Sequence, residues 1–388
     1  MDNKIVLVIG SYADRGQPGI YLCGFDPADG NINLFDQLAD IENPSYLCLS
    51  DKSGHIYAVS DLKEGEMGRV SVYRRPSDTQ TFSRLVAERS YIGSGSCFVS
   101  TDQDERYLFI ANYVAGSLTI LPLEDGKTPG APVKMIQFEG SGPNKERQEK
   151  PHIHCTVLST DEQFLYCTDL GTDRLYKYHY DPYAKEILKP AIPGYISLPA
   201  GSGPRHIAFS PSKRFMYMVT EMTGQLFAFE TDVTAQAWFQ QISLVEEGYA
   251  GKIEGGDVQI HSSGKYLYAS NRGDANELIV CVVNEPDGRL TLAQRISCEG
   301  ESPRNLVIDP TGNFLLAANE NSNSVTVFRI DLDTGQLTYT ARNFEVNKPS
   351  CLKFMSYQDK QEQKRSKDES PSQKDTDHEF DKWSVSWP

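Results

Sequence analysis

A short pattern of apolar and polar positions recurs along the chain. A turn is followed by an apolar strand that ends in a small or polar residue, and then by a polar loop. It reads GHIYAVSD at 54–61, RYLFIANY at 106–113, FLYCTDLG at 164–171, FMYMVTEM at 215–222, YLYASNRG at 266–273 and FLLAANEN at 314–321. The equivalent residues Tyr57, Phe109, Tyr166, Tyr217, Tyr268 and Leu316 recur every 48 to 57 residues, and IVLVIGSY at 5–12 is a seventh copy. An apolar strand precedes most copies and often begins with proline, as at Pro44, Pro204, Pro303 and Pro349. Alternating strands joined by Asp-Gly or Thr-Gly hairpins follow each copy. Helical 3.6-residue periodicity is nearly absent.

Seven such four-stranded units predict an all-β chain, a seven-bladed β-propeller with antiparallel blades. The recurrence alone would also suit a β-sandwich array or a β-helix. The ends favour the propeller. The chain opens on a second strand with no first strand before it, and PSCLKF at 349–354 is a first strand with none after it. Joining the two completes the last blade and leaves no wide unpaired sheet edge. The propeller is therefore expected over 1–354. Residues 355–388, rich in charge, Ser and Gln and without alternation, read as a disordered polar tail, although Trp383 and Trp387 offer a docking point.

Composition narrows the functional classes. The net charge of −15 argues against nucleic acid or an anionic membrane as partner, since both need a basic face. No apolar run approaches the roughly 18–20 residues of a membrane span. The opening MDNKIVLVIGSY has too short an apolar stretch for a secretory signal. Eight cysteines without a CxxC pair read as free buried thiols. A cytoplasmic protein, monomeric or weakly self-associating, is the expectation.

In a propeller the innermost strands line a central channel, and unlike side chains gather at one mouth. Aligning the first strands backward from their last apolar residue puts Ser45, Gly95, His154, Arg205, Gly256, Arg304 and Ser350 in one ring. The next ring is Tyr46, Ser96, Cys155, His206, Asp257, Asn305 and Cys351. The second-strand ends add Ser11, Asp61, Asn112, Asp169, Glu221, Asn271 with Arg272, and Asn319 with Glu320. Three of the seven histidines, His152, His154 and His206, begin inner strands, beside Arg205 and Arg304. Such cations are costly when buried unless a carboxylate or an anionic ligand neutralises them. Arg and Glu satisfying each other across the channel is the bland alternative. A site for a small phosphate or carboxylate is the functional one. His55 and His261 fall at turns expected to be exposed, His179 on a third strand and His378 in the tail. PHIHC offers two histidines on one strand face but no convincing further ligands, so no metal site and no cofactor are expected.

Five segments carry a family resemblance: GSGPNKERQEKPHIH at 140–154, DLGTDRLYKY at 169–178, GSGPRHIAFSP at 201–211, SNRG at 270–273 and SPRNLVIDPTGNFLLAANENSNSVTVFRID at 302–331. Over about 4–354 the chain resembles the seven-bladed propeller lactonases, a family that includes 6-phosphogluconolactonases and fungal carboxy-muconate cyclases. The resemblance implies an active-site set of one His, two Arg and one Glu, carried onto His154, Arg205, Arg272 and Glu221. Arg304 is an alternative for the second arginine. It also sets Asn144, Arg147 and Gln148 beside the site, and His152, His206, Arg304, Asp169 and Asn271 complete the expected substrate-binding set.

The implied reaction is opening of a sugar-acid lactone, 6-phosphoglucono-1,5-lactone first. Water attacks the ester carbonyl, with His154 or Glu221 as base and arginine stabilising the oxyanion and phosphate. No GxSxG nucleophile elbow is present. A muconate-type lactonising cyclase, a non-catalytic sugar-phosphate sensor and a protein-binding scaffold are the alternatives.

Overall fold

The computed structural model describes residues 5–355 except 51, 53, 75–80, 82–84 and 232–237. The expected tail, with Trp383 and Trp387, lies outside the described residues. Among the described residues there is no helix, and the strands form seven antiparallel sheets. Blade 1 runs Pro44–Leu49, His55–Ser60, Gly68–Arg74 and Leu85–Tyr91. The inner strands of blades 2 to 6 are Ser96–Thr101, Ile153–Leu158, Pro204–Phe209, Gly255–Ile260 and Pro303–Ile308. Blade 7 joins Pro349–Phe354 to Ile5–Ser11, Ile20–Phe25 and Ile32–Leu38, with Leu7 opposite Phe354 and Ser11 opposite Pro349. The two ends therefore close the ring as the half-blades implied. The pairing reaches one residue further than expected, since Met355 N donates to Val6 O at 2.9 Å.

Inner strands touch their neighbours in cyclic order, from blade 1 round to blade 7 and back. The apolar core lies between the blades, where alternate residues of the inner three strands face the next sheet. The recurring tyrosines serve this interface. Tyr217 and Tyr268 are fully buried and donate hydroxyl bonds to Gly288 O at 2.9 Å and Gly335 O at 3.0 Å in the following blade. Each such bond contributes about 1 kcal/mol and fixes the angle between blades. Blade 2 departs from the repeat, since its outer edge is split into Thr128–Pro129 and Lys134–Gln137, both paired to Ser117–Glu124.

Candidate active site at the channel mouth

Two structural devices aim side chains into the channel. The first is a β-bulge one residue into each inner strand, at Ser45, Cys97, His154, Arg205, Gly256, Arg304 and Ser350. A bulge sets two residues against one and re-aims a side chain. The second is a backbone bond from the residue just after each second strand to the loop before the first. Tyr12, Asp61, Tyr113, Leu170, Glu221, Arg272 and Glu320 all donate it, at 2.6–3.0 Å. These seven form one layer around the mouth.

The register corrects two expectations. In blade 2 the bulged residue is Cys97, not Gly95, and its neighbour is Phe98, not Ser96, a shift of two. The second-strand ends are also two layers: Ser11, Asn112, Asp169, Asn271 and Asn319 close the strands, while Asp61, Glu221, Arg272 and Glu320 stand one residue beyond.

Glu221 is the hub of the cluster. Its Oε2 lies 2.7 Å from Arg272 Nη2, accepts from Arg205 Nε at 3.1 Å and stands 3.7 Å from His154 Nε2. Its Oε1 accepts from Arg147 Nη2. Arg205, 1% exposed, is the bulkiest of the fully buried side chains described, and its Nη1 donates to Gly256 O at 2.6 Å. Gly256 has to be small: a Cβ there would stand 2.4 Å from Ser270 Oγ and 3.1 Å from Arg272 Cγ. Arg272 has a side chain only 7% exposed, yet its Nε and Nη2 make no hydrogen bond of proper geometry. Glu254 stands behind, 4.0 Å from Arg272 and 3.9 Å from Arg147.

The electrostatics follow from this packing. Burial pushes the Glu221 carboxyl up, but Arg272, Arg205, His154 and Arg147 together outweigh it and hold it well below the usual range. Glu221 is thus an ionised anchor. Burial, then Arg205 and His206, pulls His154 well below the usual imidazole range against Glu221's opposing charge, so its ring is neutral at pH 7. Burial and the like charges of Arg272 and Arg304 bring Arg205 down to about 10, still protonated at neutrality. His206 is lowered to about 4 by burial and Arg205, although its Nδ1 lies 2.7 Å from Asp257 Oδ1. Asp257 also accepts from Asn305 Nδ2 at 2.6 Å and Leu306 N at 3.0 Å, so this pair is saturated and braces the layer beneath Arg205.

Across the ring, Arg304 Nη1 donates to Glu320 Oε2 at 3.2 Å and Nη2 to Tyr12 Oη at 2.7 Å. Arg304 is therefore engaged by its own partners and does not join Glu221. It is near enough to Arg205 for its charge to be felt there.

The remaining candidates hold the frame. Asp169 accepts from His152 N at 2.8 Å, Gly171 N at 2.9 Å and Thr172 Oγ1 at 2.6 Å. Asn271 does the same for Glu254 N and Gly273 N. His152 stacks on Tyr113 at 4.4 Å, with its ring nitrogens on Tyr113 O and Glu149. Asn144 turns the 140–150 loop by accepting from Arg147 N, and Gln148 pins it to Leu170 O and Asp173. His55 and His261, expected to be exposed, are both buried at 6%. His261 caps its hairpin, with Nδ1 on Ser263 Oγ and Nε2 on Gly312 O. Tyr12, Tyr113 and Glu254 are members of the mouth that the sequence reading missed. The first two occupy the position that gives Glu221, one residue past a second strand. Among the described residues no group of three or more His, Cys, Asp or Glu is placed to hold a metal, and no helix is long and apolar enough to cross a membrane.

Comparison with known proteins agrees with the fold. The family model described as "Lactonase, 7-bladed beta-propeller" matches residues 6–354. A protein of Bacillus subtilis named 6-phosphogluconolactonase is 30% identical over 91% of this chain and 99% of its own. A crystal structure titled as a putative 6-phosphogluconolactonase from Bacteroides fragilis superposes with a TM-score of 0.85 at 31% identity, covering 92% of this chain and 99% of that one. The periplasmic gluconolactonase of Pseudomonas aeruginosa gives the same score and identity over 91% and 99%.

Proposed function

Because the chain belongs to the 7-bladed β-propeller lactonase family, we propose that it opens the lactone of a six-carbon sugar acid at the channel mouth, with 6-phosphoglucono-1,5-lactone yielding 6-phosphogluconate as the specific reaction. It is a lactonase by its relatives, one named for the phosphorylated substrate and one for gluconolactone. The observation that carries the reading is Arg272, a buried guanidinium beside a neutral histidine, whose Nη2 faces the Glu221 carboxylate at 2.7 Å while its Nε has no hydrogen-bond partner. A buried donor left unpaired is costly. A carbonyl oxygen that becomes an oxyanion relieves that cost most in the transition state, where catalysis needs it.

His154 takes the proton from water as the oxygen attacks the carbonyl carbon. The carbonyl π pair moves to oxygen, where Arg272 stabilises it. Collapse of the tetrahedral intermediate breaks the bond to the ring oxygen, which receives the proton back from His154. Glu221, 3.7 Å from Nε2, stabilises the transient imidazolium. Arg205 holds Glu221 in place from below. Arg147, with 40% of its side chain exposed, is the rim cation available to the phosphate. Arg304, expected in the substrate-binding set, is held by Glu320 and Tyr12 and is less exposed than Arg147, so Arg147 is preferred for the phosphate. Seven cysteines are buried free thiols, which fits a reducing compartment and a cytoplasmic enzyme.

The test is lactone opening by the purified protein, corrected for spontaneous hydrolysis, in wild type and His154→Ala. The wild type is expected to exceed background, and the variant to lose about 10²- to 10⁴-fold in kcat. No rate above background in the wild type would sink the lactonase; equal rates would remove His154 as its base.

A further inference from the structure

The mouth has a second half that the reaction described above does not use. Blades 6, 7 and 1 contribute Glu320, Tyr12 and Asp61 to the same layer that holds Glu221 and Arg272, and Arg304 rises from the bulge layer between them. With seven blades in the ring, Asp61 stands opposite Glu221 and Arg272. All four residues are partly exposed. Arg304 is held by Glu320 and by the Tyr12 oxygen, which leaves the Tyr12 O–H free to donate. Among the described residues Asp61 accepts no side-chain hydrogen bond, although burial raises its pKa. Across the ring from it is Arg272, its side chain 7% exposed and 2.7 Å from Glu221.

The two halves differ in charge. Around Glu221 three arginines meet Glu221 and Glu254, while in the other half Arg304 pairs with Glu320 and its charge is felt by Asp61. The first half suits the reacting carbonyl and any anionic group. The second repels a phosphate or a second carboxylate, and its two carboxylate acceptors and one phenol donor match the hydroxyls of a sugar. Carboxylates bind such hydroxyls by charge-assisted bonds, about twice as strong as neutral ones.

We propose that Tyr12, Asp61, Arg304 and Glu320 form a subsite that reads the ring hydroxyls of the substrate, so that the preferred class is polyhydroxylated aldonolactones rather than plain lactones or muconate-type dicarboxylates. This rests on the lactonase reading. A 6-phosphate, where present, is turned toward Arg147 and is not read by this half.

The experiment compares glucono-1,5-lactone with δ-valerolactone, which has the same ring and no hydroxyls, in wild type, Asp61→Asn and Glu320→Gln. Thermal melting confirms that each variant folds, and either alone suffices. The wild type is expected to favour gluconolactone at least ~100-fold in kcat/KM. Each variant is expected to raise KM for gluconolactone at least ~10-fold, with kcat changed far less, and to shrink the preference accordingly. An undetectable valerolactone rate counts as a large preference, and the gluconolactone KM then carries the result. Equal use of both lactones by the wild type, or variants that lower both alike, would overturn the subsite while leaving the lactonase standing. No opening of either lactone would remove the lactonase reading and the subsite together.

Discussion

Replacing Glu221 with Gln removes one negative charge from the centre of three arginines and a histidine while keeping size and one acceptor oxygen. The side chain is 5% exposed, so solvent does little to screen the loss. Arg205 suffers most: it is fully buried, and Glu221 is its only carboxylate within 4 Å among the described residues. Arg147 and Arg272 keep a distant neighbour in Glu254. Breaking a buried pair by deleting one partner costs about 3–5 kcal/mol. A domain of roughly 350 residues unfolds with an entropy of about 0.7 kcal/mol per kelvin, so Tm should fall by about 4–7 °C. Added sulfate should recover part of that loss in the variant and little in the wild type, by occupying the vacated charge. Calorimetry at pH 7 reads the first effect and lactone opening the second, where kcat/KM should fall at least ~100-fold. A Tm within ~1 °C of wild type, with activity within about threefold, would refute Glu221 as the electrostatic anchor.

Arg272→Lys keeps a cation near Glu221 but loses the donor fork, so kcat should drop about 10²- to 10³-fold with Tm moved by no more than ~2 °C; steady-state kinetics and melting check both. Since the His154 pKa is depressed, the ring stays unprotonated further into acid, and the acid limb of kcat/KM should lie well below pH 6.5; a limb at or above 6.5 contradicts the assignment. Tyr217→Phe removes the hydroxyl bond to Gly288 in the next blade, at a cost of about 1 kcal/mol and ~1–2 °C in Tm, with lactone opening unchanged.

The propeller was legible because its signal is redundant. Tyr57, Tyr217 and Tyr268 recur at one depth since each must reach the following blade, and a period of that size survives local irregularity. The end-joining of Ile5–Ser11 with Pro349–Phe354 was legible for a different reason, since each half-blade lacks what the other supplies. The channel layers were harder. Each inner strand carries a bulge, which breaks the two-residue alternation that tells one face from the other, and blade 2 lacks the proline that marks the strand start in blades 1, 4, 6 and 7. That is why Cys97 was displaced by Gly95. His154, Arg205 and Glu221 stood out by charge in the channel layers, Arg272 came from the family resemblance, and the structure gathers all four. Arg147 was placed near the site by its loop alone, and nothing in the sequence announced its contact with Glu221 from 74 residues away. Asp169 and Asn271 hold loop backbone in the structure, and sequence alone does not separate that role from ligand binding, because both use the same chemistry. Tyr12 and Tyr113 were hidden by being aromatic, although their position is that of Glu221.

The most direct test is a crystal structure of the protein with 6-phosphogluconate. The carboxylate is expected within hydrogen-bonding distance of Arg272 and beside His154, with the hydroxyls toward Asp61 and Glu320 and the phosphate toward Arg147. Product bound outside the channel mouth, or with its carboxylate away from Arg272, would contradict the placement of the reaction there.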